Sequence, residues 1–176
     1  MDLLNPKEVL SLGLIARLLL ISDGTLTDIV EAIFLEPLEL VKLSVDRYQA
    51  IEPEEALDIM PGDPLMRRKI LLRGSVTGTN YVYAYTRIAL NSLPDAVRDG
   101  LVQSGSPIGR LWVQHKLETR KELVSTWREP AAELAPHFCI APDEDVLART
   151  YRVFTGGKPS MLISEYFPAS LGARLG

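Results

Sequence analysis

The chain has 176 residues, of which 47% are hydrophobic, and this length and composition predict one globular domain over residues 1–176. The formal net charge is -4, with acidic and basic residues mixed along the chain. This balance argues against a nucleic-acid-binding protein, which usually carries a basic excess. The single cysteine, Cys139, excludes an intrachain disulfide and fits a reducing, cytoplasmic compartment.

The chain opens with an apolar segment that predicts one helix from Asn5 to Ser22. Asn5 is a typical N-cap, with Pro6 at the first helical position and Glu8 reaching back to the cap. The apolar run is too short to span a bilayer, and Arg17 interrupts it. Because a basic leader and a small-residue cleavage site are also missing, we interpret it as a core helix and expect no membrane contact.

Alternating apolar residues and turn signals divide the rest of the chain into further helices and strands. Thr25 restarts a short helix, and Ser92 and Ser106 are predicted to cap two helices in the middle of the chain. The predicted strands cover residues 40–49, 65–74, 81–90, 117–127, 147–154 and 160–167. In the first of them, Val41, Leu43 and Val45 are predicted to share a half-buried face, and the last two form a hairpin across the Gly156-Gly157 turn. The pattern predicts an α+β fold, a single antiparallel sheet of about six strands with helices packed on one face.

Two charged residues fall on strand faces that are otherwise apolar. Met161, Ile163, Glu165 and Phe167 alternate on one face of the last strand. The same alternation places Arg68 on a face with Met66, Ile70 and Leu72. An ionised group is costly to bury without a partner, so both positions need an explanation.

The alternation leaves two explanations for these charges. In the first, Arg68 and Glu165 form a buried salt bridge with a purely structural role, although such pairs seldom improve stability over apolar residues. In the second, they line an apolar pocket and bind opposite ends of a small ligand. The planar guanidinium of Arg68 suits a carboxylate, and Glu165 suits a hydroxyl or an acidic C–H group. The backbone N–H groups of Leu26, Ile108 and Gly109, at two predicted helix starts, are either additional anion donors or ordinary capped amides.

Four segments carry a resemblance to a known family. They are "LLISDGTLT" (19–27), "RRKILLRG" (67–74), "SPIGRL" (106–111) and "ARTYRVFTGGKPSMLISEYFP" (148–168). In this order and spacing, over roughly residues 10–170, the chain resembles the chorismate lyases (chorismate–pyruvate lyases), in the branch that includes mycobacterial-type 4-hydroxybenzoate synthases. The same fold family also contains effector-sensing domains of bacterial transcription regulators, which bind small molecules without chemistry.

The resemblance implies a role for each of the candidate residues. It implies that Arg68 and the backbone of Leu26 and Ile108 contact the ring carboxylate of the substrate, and that Glu165 meets its 4-hydroxyl end. Glu165 then either orients the hydroxyl or removes the C4 proton. The ubiquinone-pathway enzymes of the family carry a further arginine, but here Arg87 lies one position away and Thr86 takes its place.

The resemblance further implies a lyase that takes chorismate as substrate, releases pyruvate and 4-hydroxybenzoate, and needs no metal or redox cofactor. The alternative is a non-catalytic binding domain for an aromatic or acidic metabolite. Arg149 and Arg152 lie three residues apart and so point to opposite faces of the hairpin, and we expect each to be a solvated edge arginine rather than a substrate contact. The sequence leaves open whether the protein is a monomer or a dimer.

Overall fold

One antiparallel sheet organises the described part of the chain. The computed structural model describes residues 4–22, 25–103 and 108–171. The strands are β1 (Leu38–Gln49), β2 (Pro64–Gly74), β3 (Asn80–Ala89), β4 (Thr119–Pro130), β5 (Asp145–Thr155) and β6 (Lys158–Pro168). They lie side by side in the order β1-β2-β3-β6-β5-β4, with every neighbouring pair antiparallel. The predicted strands and the single sheet are therefore confirmed.

Helices cover one face of this sheet. The α-helices are α1 (Pro6–Ser11), α2 (Leu14–Ile21), α3 (Leu26–Phe34), α4 (Asp95–Gln103), α5 (Ile108–Gln114) and the single turn α6 (Ala135–Phe138). Residues of α2 and α3 pack with Ile70, Leu72 and Phe167 in one apolar cluster. Residues of α4 and α5 pack with Met66, Met161 and other strand residues in a second cluster on the same face. In the described part of the chain, no helix is long and apolar enough to cross a membrane.

The opposite face of the sheet is covered only in part, by short segments. Leu57 and Ile59 pack on one end of it, next to Leu65. Ala135 and Phe138 of α6 pack with Tyr83 near the other end. The sheet therefore has one thickly covered face, and the apolar clusters beneath α2–α5 form most of the core.

The N-terminal segment forms two helices where the sequence predicts one. Asn5 caps α1 as expected, accepting bonds from the amides of Lys7 and Glu8, and the Glu8 side chain accepts from the Asn5 amide. The chain leaves the helical conformation at Leu12 and Gly13, both of which are extended, and α2 then begins at Leu14. The apolar spacing continues through the break, so periodicity alone does not reveal it.

Two further local predictions differ from the structure. Ser92 does not cap α4, because it ends a short 3-10 helix (Leu90–Ser92) and α4 begins three residues later. Val41, Leu43 and Val45 do not share a face, because the register between β1 and β2 shifts between Lys42 and Ser44. This bulge inserts one extra residue into β1, so that the alternation of side chains between the two faces is interrupted. Leu43 and Val45 are exposed. The predicted cap Ser106 lies outside the described residues.

Candidate functional site

A cavity lies on the helix side of the sheet, between the two apolar clusters. The empty space within it, counted together with open solvent at its mouth, is about 540 Å³. The wall is formed by Thr25, Leu26, Thr27, Arg68, Ile70, Leu72, Ala84, Thr86, Ile108, Trp112, Lys121, Tyr151, Ile163 and Glu165. Most of the wall surface is apolar, although half of these residues carry polar groups, and three of them are charged.

Arg68 is the charged residue that β2 contributes to the cavity. Its exposed fraction is only 2%, and the flanking residues on its face, Met66 and Ile70, are both buried in the core. Burial lowers the pKa of the Arg68 guanidinium, because the charged form is less well solvated there. An arginine starts from so high a pKa that it keeps its charge at neutral pH. The wall therefore presents a buried cation, which suits an anionic group of a ligand.

Glu165 lies on the same face of the sheet, two strands away from Arg68. Arg68 is opposite Thr86 of β3, whereas Glu165 is opposite Ala84 of the same strand. Standard strand spacing and a two-residue offset then place the two Cα atoms roughly 12 Å apart. The two charges thus stand on different parts of the cavity wall, as the ligand-binding interpretation requires.

The carboxylate of Glu165 is bound by two side chains of β5. Arg149 Nε donates to Glu165 Oε2 at 2.7 Å, and the Tyr151 hydroxyl donates to Oε1 at 3.0 Å. Each oxygen therefore has a partner, and the carboxylate is fixed in position. These contacts explain how an ionised Glu165 can be buried, with an exposed fraction of only 6%. Its ion-pair partner is Arg149 and not Arg68.

Arg149 is not the solvated edge residue that the sequence predicts. It is 2% exposed, and besides Glu165 it binds the backbone carbonyl of Ser22 through Nη1 at 2.6 Å. This contact fastens the end of α2 to the sheet beside the start of α3. A signal was present in the sequence, because Leu147, Arg149, Tyr151 and Val153 alternate on one face, so that Arg149 is a lone charge among apolar residues.

Tyr151 is the second residue that the sequence analysis missed. Its ring lines the cavity, and the side chain is buried. Burial, together with the negative charge of Glu165, raises the pKa of the Tyr151 hydroxyl well above its ordinary value of 10.0. The hydroxyl is therefore a neutral hydrogen-bond donor throughout the physiological range.

Lys121 brings a further cation to the cavity from the edge strand β4. Its ammonium lies 5.3 Å from the centroid of the Tyr151 ring and 5.6 Å from that of Trp112. At these distances the electron-rich faces of the rings attract the charge. Residue alternation does not predict this position, because the strand around Lys121 has no continuous apolar face.

The two helix starts that the sequence singled out do flank the cavity. Leu26 is the first residue of α3, and Ile108 is the first residue of α5. Thr25, the N-cap of α3, makes no side-chain hydrogen bond to its helix and lines the cavity instead. Gly109 follows Ile108 in the first turn of α5. The binding of an anion by these backbone amides stays a prediction.

Two other arginines point away from the site. Arg87 pairs with Glu54 at 2.8 Å, and Thr86 lines the cavity in its place, which confirms the predicted faces of that strand. Arg152 is partly exposed and binds Glu122 at 2.7 Å. It lies opposite Leu162, on the face of the sheet away from the cavity.

The antiparallel sheet, its covering helices and the buried cavity define an α+β protein of the chorismate-lyase-like fold. The effector domain of PhnF from Mycobacterium smegmatis has this fold, with a TM-score of 0.63, 12% sequence identity and coverage of 85% of this chain and 91% of that domain. The ligand-binding domain of a GntR-family transcriptional regulator from Bordetella bronchiseptica is similar at a TM-score of 0.57 and 17% identity, covering 74% of this chain and 82% of the other.

Sequence comparison gives the family. The family model described as chorismate pyruvate-lyase Rv2949c-like matches residues 20–175, and the chain belongs to that family. A chorismate pyruvate-lyase of Mycobacterium tuberculosis is 28% identical over 173 residues, which cover 96% of this chain and 86% of the relative. The Mycobacterium leprae chorismate pyruvate-lyase is 28% identical over 178 residues, covering 96% of this chain and 80% of the relative. The resemblance predicted from the sequence is confirmed.

Proposed function

We propose that the protein is a chorismate lyase, which eliminates pyruvate from chorismate and leaves 4-hydroxybenzoate. The observation that carries the proposal is the placement of Arg68 and Glu165, both buried, on separate parts of one apolar cavity wall. Family membership and the mycobacterial relatives named chorismate pyruvate-lyase support the same reaction.

Arg68 binds the ring carboxylate in this proposal. A guanidinium donates two parallel hydrogen bonds to a carboxylate, and a buried one does so without competition from water. The amides of Leu26 and Ile108 add donors to the same carboxylate. Ile70, Leu72 and Ile163 form an apolar surface of the sheet against which the ring packs.

Glu165 acts at the C4 end of the ring. The reaction removes the C4 proton and breaks the bond between C3 and the ether oxygen, so that enolpyruvate departs and is protonated to pyruvate. Glu165 either accepts the C4 proton or orients the 4-hydroxyl. Arg149 and Tyr151 hold the carboxylate for this task, and Arg149 also keeps a positive charge beside it. The aromaticity of the product ring provides the thermodynamic driving force. Positioning of the substrate in an enclosed site supplies much of the rate.

A direct assay tests the proposal. Purified protein is mixed with chorismate, and 4-hydroxybenzoate and pyruvate are measured by chromatography. Equal amounts of the two products are expected, and a parallel incubation with isochorismate, which carries the hydroxyl on C2 instead of C4, gives the matched control for the position of the hydroxyl. A folded protein that forms no 4-hydroxybenzoate at neutral pH would contradict the proposal.

The second candidate function is non-catalytic binding of an aromatic or acidic metabolite. The shared fold with the effector domain of PhnF favours it, because a binding protein of this kind needs only the cavity and its cation. Tight binding of 4-hydroxybenzoate or chorismate without turnover would select this function. The single cysteine is exposed and suits a reducing compartment, so that we place either function in the cytoplasm.

A further inference from the structure

We infer that Thr86 determines which ligands the cavity accepts, because it leaves open, beside Arg68, a place that a carboxylate of the protein fills in the equivalent half of the sheet. This inference rests on the proposed function, in which Arg68 binds the ring carboxylate of the substrate. The sheet is built from two three-stranded units, β1-β2-β3 and β4-β5-β6, which meet at β3 and β6. Thr86, on β3, is only 2% exposed and lines the cavity next to that junction.

The two units have equivalent strand pairing. The pairing of β1 with β2 shifts its register after Lys42, and the pairing of β4 with β5 does so after Leu123, with the same number of paired residues on either side. The pairing of β2 with β3 shifts after Leu72, and that of β5 with β6 shifts after Val153, again at equivalent places. An approximate two-fold axis between β3 and β6 therefore relates the two units, and it brings equivalent residues to the same face of the sheet.

Arg68 and Arg149 occupy equivalent positions in the two units. Across the sheet, Arg68 is opposite Thr86, and Arg149 is opposite Glu165. Both arginines are 2% exposed, and no other residue type is shared at equivalent positions of β2 and β5. Thr86 therefore has the same relation to Arg68 as Glu165 has to Arg149.

The unit of Arg149 contains its own carboxylate. Glu165 accepts a hydrogen bond from Arg149 Nε at 2.7 Å and another from the Tyr151 hydroxyl at 3.0 Å. The same guanidinium also donates to the carbonyl oxygen of Ser22, which shows that an arginine at this position can bind two groups at once. A guanidinium has five N–H donors, so Arg68 can likewise bind a ligand in addition to its contacts within the protein.

In the unit of Arg68, the corresponding positions carry no acidic side chain. Thr86 takes the place of Glu165, and Ile70 takes the place of Tyr151. Arg68, Ile70 and Thr86 all line the cavity, so a ligand reaches the place that corresponds to the Glu165 carboxylate. A ligand carboxylate at this place forms with Arg68 the ion pair that Glu165 forms with the other arginine. A short, uncharged residue 86 is thus the condition for the binding of a carboxylate.

The first experiment measures the binding of 4-hydroxybenzoate to variants of residue 86 by calorimetry. Thr86→Glu places a carboxylate of the protein beside Arg68, where it competes with the carboxylate of the ligand, and binding should weaken roughly 100-fold or more. Thr86→Gln introduces a side chain of the same size as glutamate without the charge, and it should weaken binding no more than about tenfold. The ratio between these two variants separates the effect of charge from that of volume.

Ile51→Glu is the control for net charge, because Ile51 is exposed and does not line the cavity. It should leave the affinity unchanged. Thermal melting checks the fold of each variant, and Thr86→Asp, with Thr86→Asn as its uncharged counterpart, replaces the longer pair if Thr86→Glu is unstable. Equal weakening by the charged and the uncharged variant, unchanged binding by a folded Thr86→Glu protein, or no binding of 4-hydroxybenzoate to the wild type at millimolar concentration would overturn the inference.

The structure of the complex with 4-hydroxybenzoate tests the placement directly. The ligand carboxylate should lie about 3 Å from the guanidinium of Arg68. Superposition of β4-β5-β6 on β1-β2-β3 should bring the Glu165 carboxylate onto the carboxylate of the ligand. A ligand carboxylate elsewhere in the cavity would refute the inference.

Turnover distinguishes a failure of this inference from a failure of the proposed function. Thr86→Glu should lower kcat/KM for chorismate roughly 100-fold or more, in line with its effect on binding. A wild-type protein whose binding of 4-hydroxybenzoate depends on residue 86 as described, but which does not turn over chorismate, would refute the proposed function and leave this inference standing. A wild-type protein that turns over chorismate, with Thr86→Glu equally active, would refute this inference and leave the proposed function standing.

Discussion

Arg149 and Glu165 face each other directly across β5 and β6, and their side chains form a buried ion pair at 2.7 Å. The arginine also binds the carbonyl of Ser22 at the end of α2. One guanidinium therefore binds both the carboxylate of the candidate site and the C-terminal end of α2. Since both partners are almost fully buried, the loss of either leaves an uncompensated charge in the core.

Replacement of Arg149 should destabilise the protein strongly. For Arg149→Met, we expect the free energy of unfolding to fall by about 3–5 kcal/mol, because the Glu165 carboxylate loses its cation in a buried environment. Urea unfolding followed by circular dichroism measures the change. Arg152→Met is the control, because the Arg152–Glu122 pair is half-exposed on the other face, and its loss should cost about 1 kcal/mol or less. Equal effects of the two substitutions would contradict the structural role of Arg149.

Glu165→Gln should separate catalysis from binding. The substitution keeps the size of the side chain and removes its capacity to accept a proton. Under the proposed function, we expect kcat to fall by roughly 100- to 10,000-fold while 4-hydroxybenzoate still binds. Steady-state kinetics and calorimetry measure the two effects. The carboxylate of Glu122 lies on the other face, so that Glu122→Gln should keep normal turnover, and wild-type turnover by Glu165→Gln would rule out the general-base role.

Tyr151→Phe should weaken activity through the loss of one hydrogen bond. The hydroxyl donates to the Glu165 carboxylate, and a bond of this kind to a charged group typically contributes about 1.5–3 kcal/mol. We therefore expect kcat/KM to fall roughly 10- to 100-fold while the fold is kept. Kinetic measurements with chorismate test the size of the effect, and unchanged kinetics would show that the hydroxyl does not position Glu165.

The pKa of Tyr151 gives a separate spectroscopic prediction. Burial and the nearby carboxylate raise the pKa well above 10.0, so that the ring stays protonated at pH values where exposed tyrosines ionise. Absorbance titration near 295 nm should therefore give identical curves for wild type and Tyr151→Phe up to pH 10. A difference between the curves below that pH would show that the hydroxyl is accessible to solvent.

Glu36 makes a second buried carboxylate site, outside the cavity wall, that contributes to the response to acid. It accepts bonds from the amides of Val76 and Thr77 and from the hydroxyls of Thr77 and Tyr81. The Tyr81 bond and then the Thr77 amide lower the pKa of Glu36 from 4.5 to about 2. The Glu36 carboxylate therefore stays ionised to a lower pH in the folded state than in the unfolded state.

The sign of the pH effect follows from this lowered pKa. The stabilising contribution of Glu36 is fully present above pH 4.5 and is lost as the pH falls towards about 2. Glu36→Gln should lower the melting temperature at pH 7, and its difference from wild type should shrink between pH 4.5 and the acid limit of the fold. Melting curves at a series of pH values test this, and a difference that stays constant with pH would refute it.

Because Gly74 has no side chain, the Glu36 carboxylate can pack directly against its backbone. A Cβ atom built on Gly74 would clash with the carboxylate of Glu36, whose position is fixed by its hydrogen bonds. Gly74→Ala should therefore lower the melting temperature, and the double variant with Glu36→Gln should show less than the sum of the two effects. Strict additivity of the two substitutions would indicate that the two residues do not interact.

The sequence by itself determined the strands, the antiparallel sheet and the faces of Arg68 and Glu165. Strand alternation is a local property with a period of two residues, and it places each side chain on one face without knowledge of the partner strands. The ion pair between Arg68 and Glu165, one of the two explanations that the alternation left open, shows the limit of this reasoning. Both charges were located correctly, but the partner that Glu165 binds is Arg149.

Only the tertiary structure decided the partners, because they depend on register between strands. The tight turn pairs Thr155 with Lys158, and a continuation of that register would place Ser164 opposite Arg149. The register shifts between Val153 and Phe154, and this shift brings Glu165 opposite Arg149 instead. Lys121 likewise lines the cavity only because β4 pairs with β5, a long-range pairing that the sequence pattern does not show. A bulge and a long-range strand pairing leave no periodic signal in the chain. The sequence therefore predicted Arg68 and Glu165, whereas Arg149, Tyr151 and Lys121 were found only in the structure.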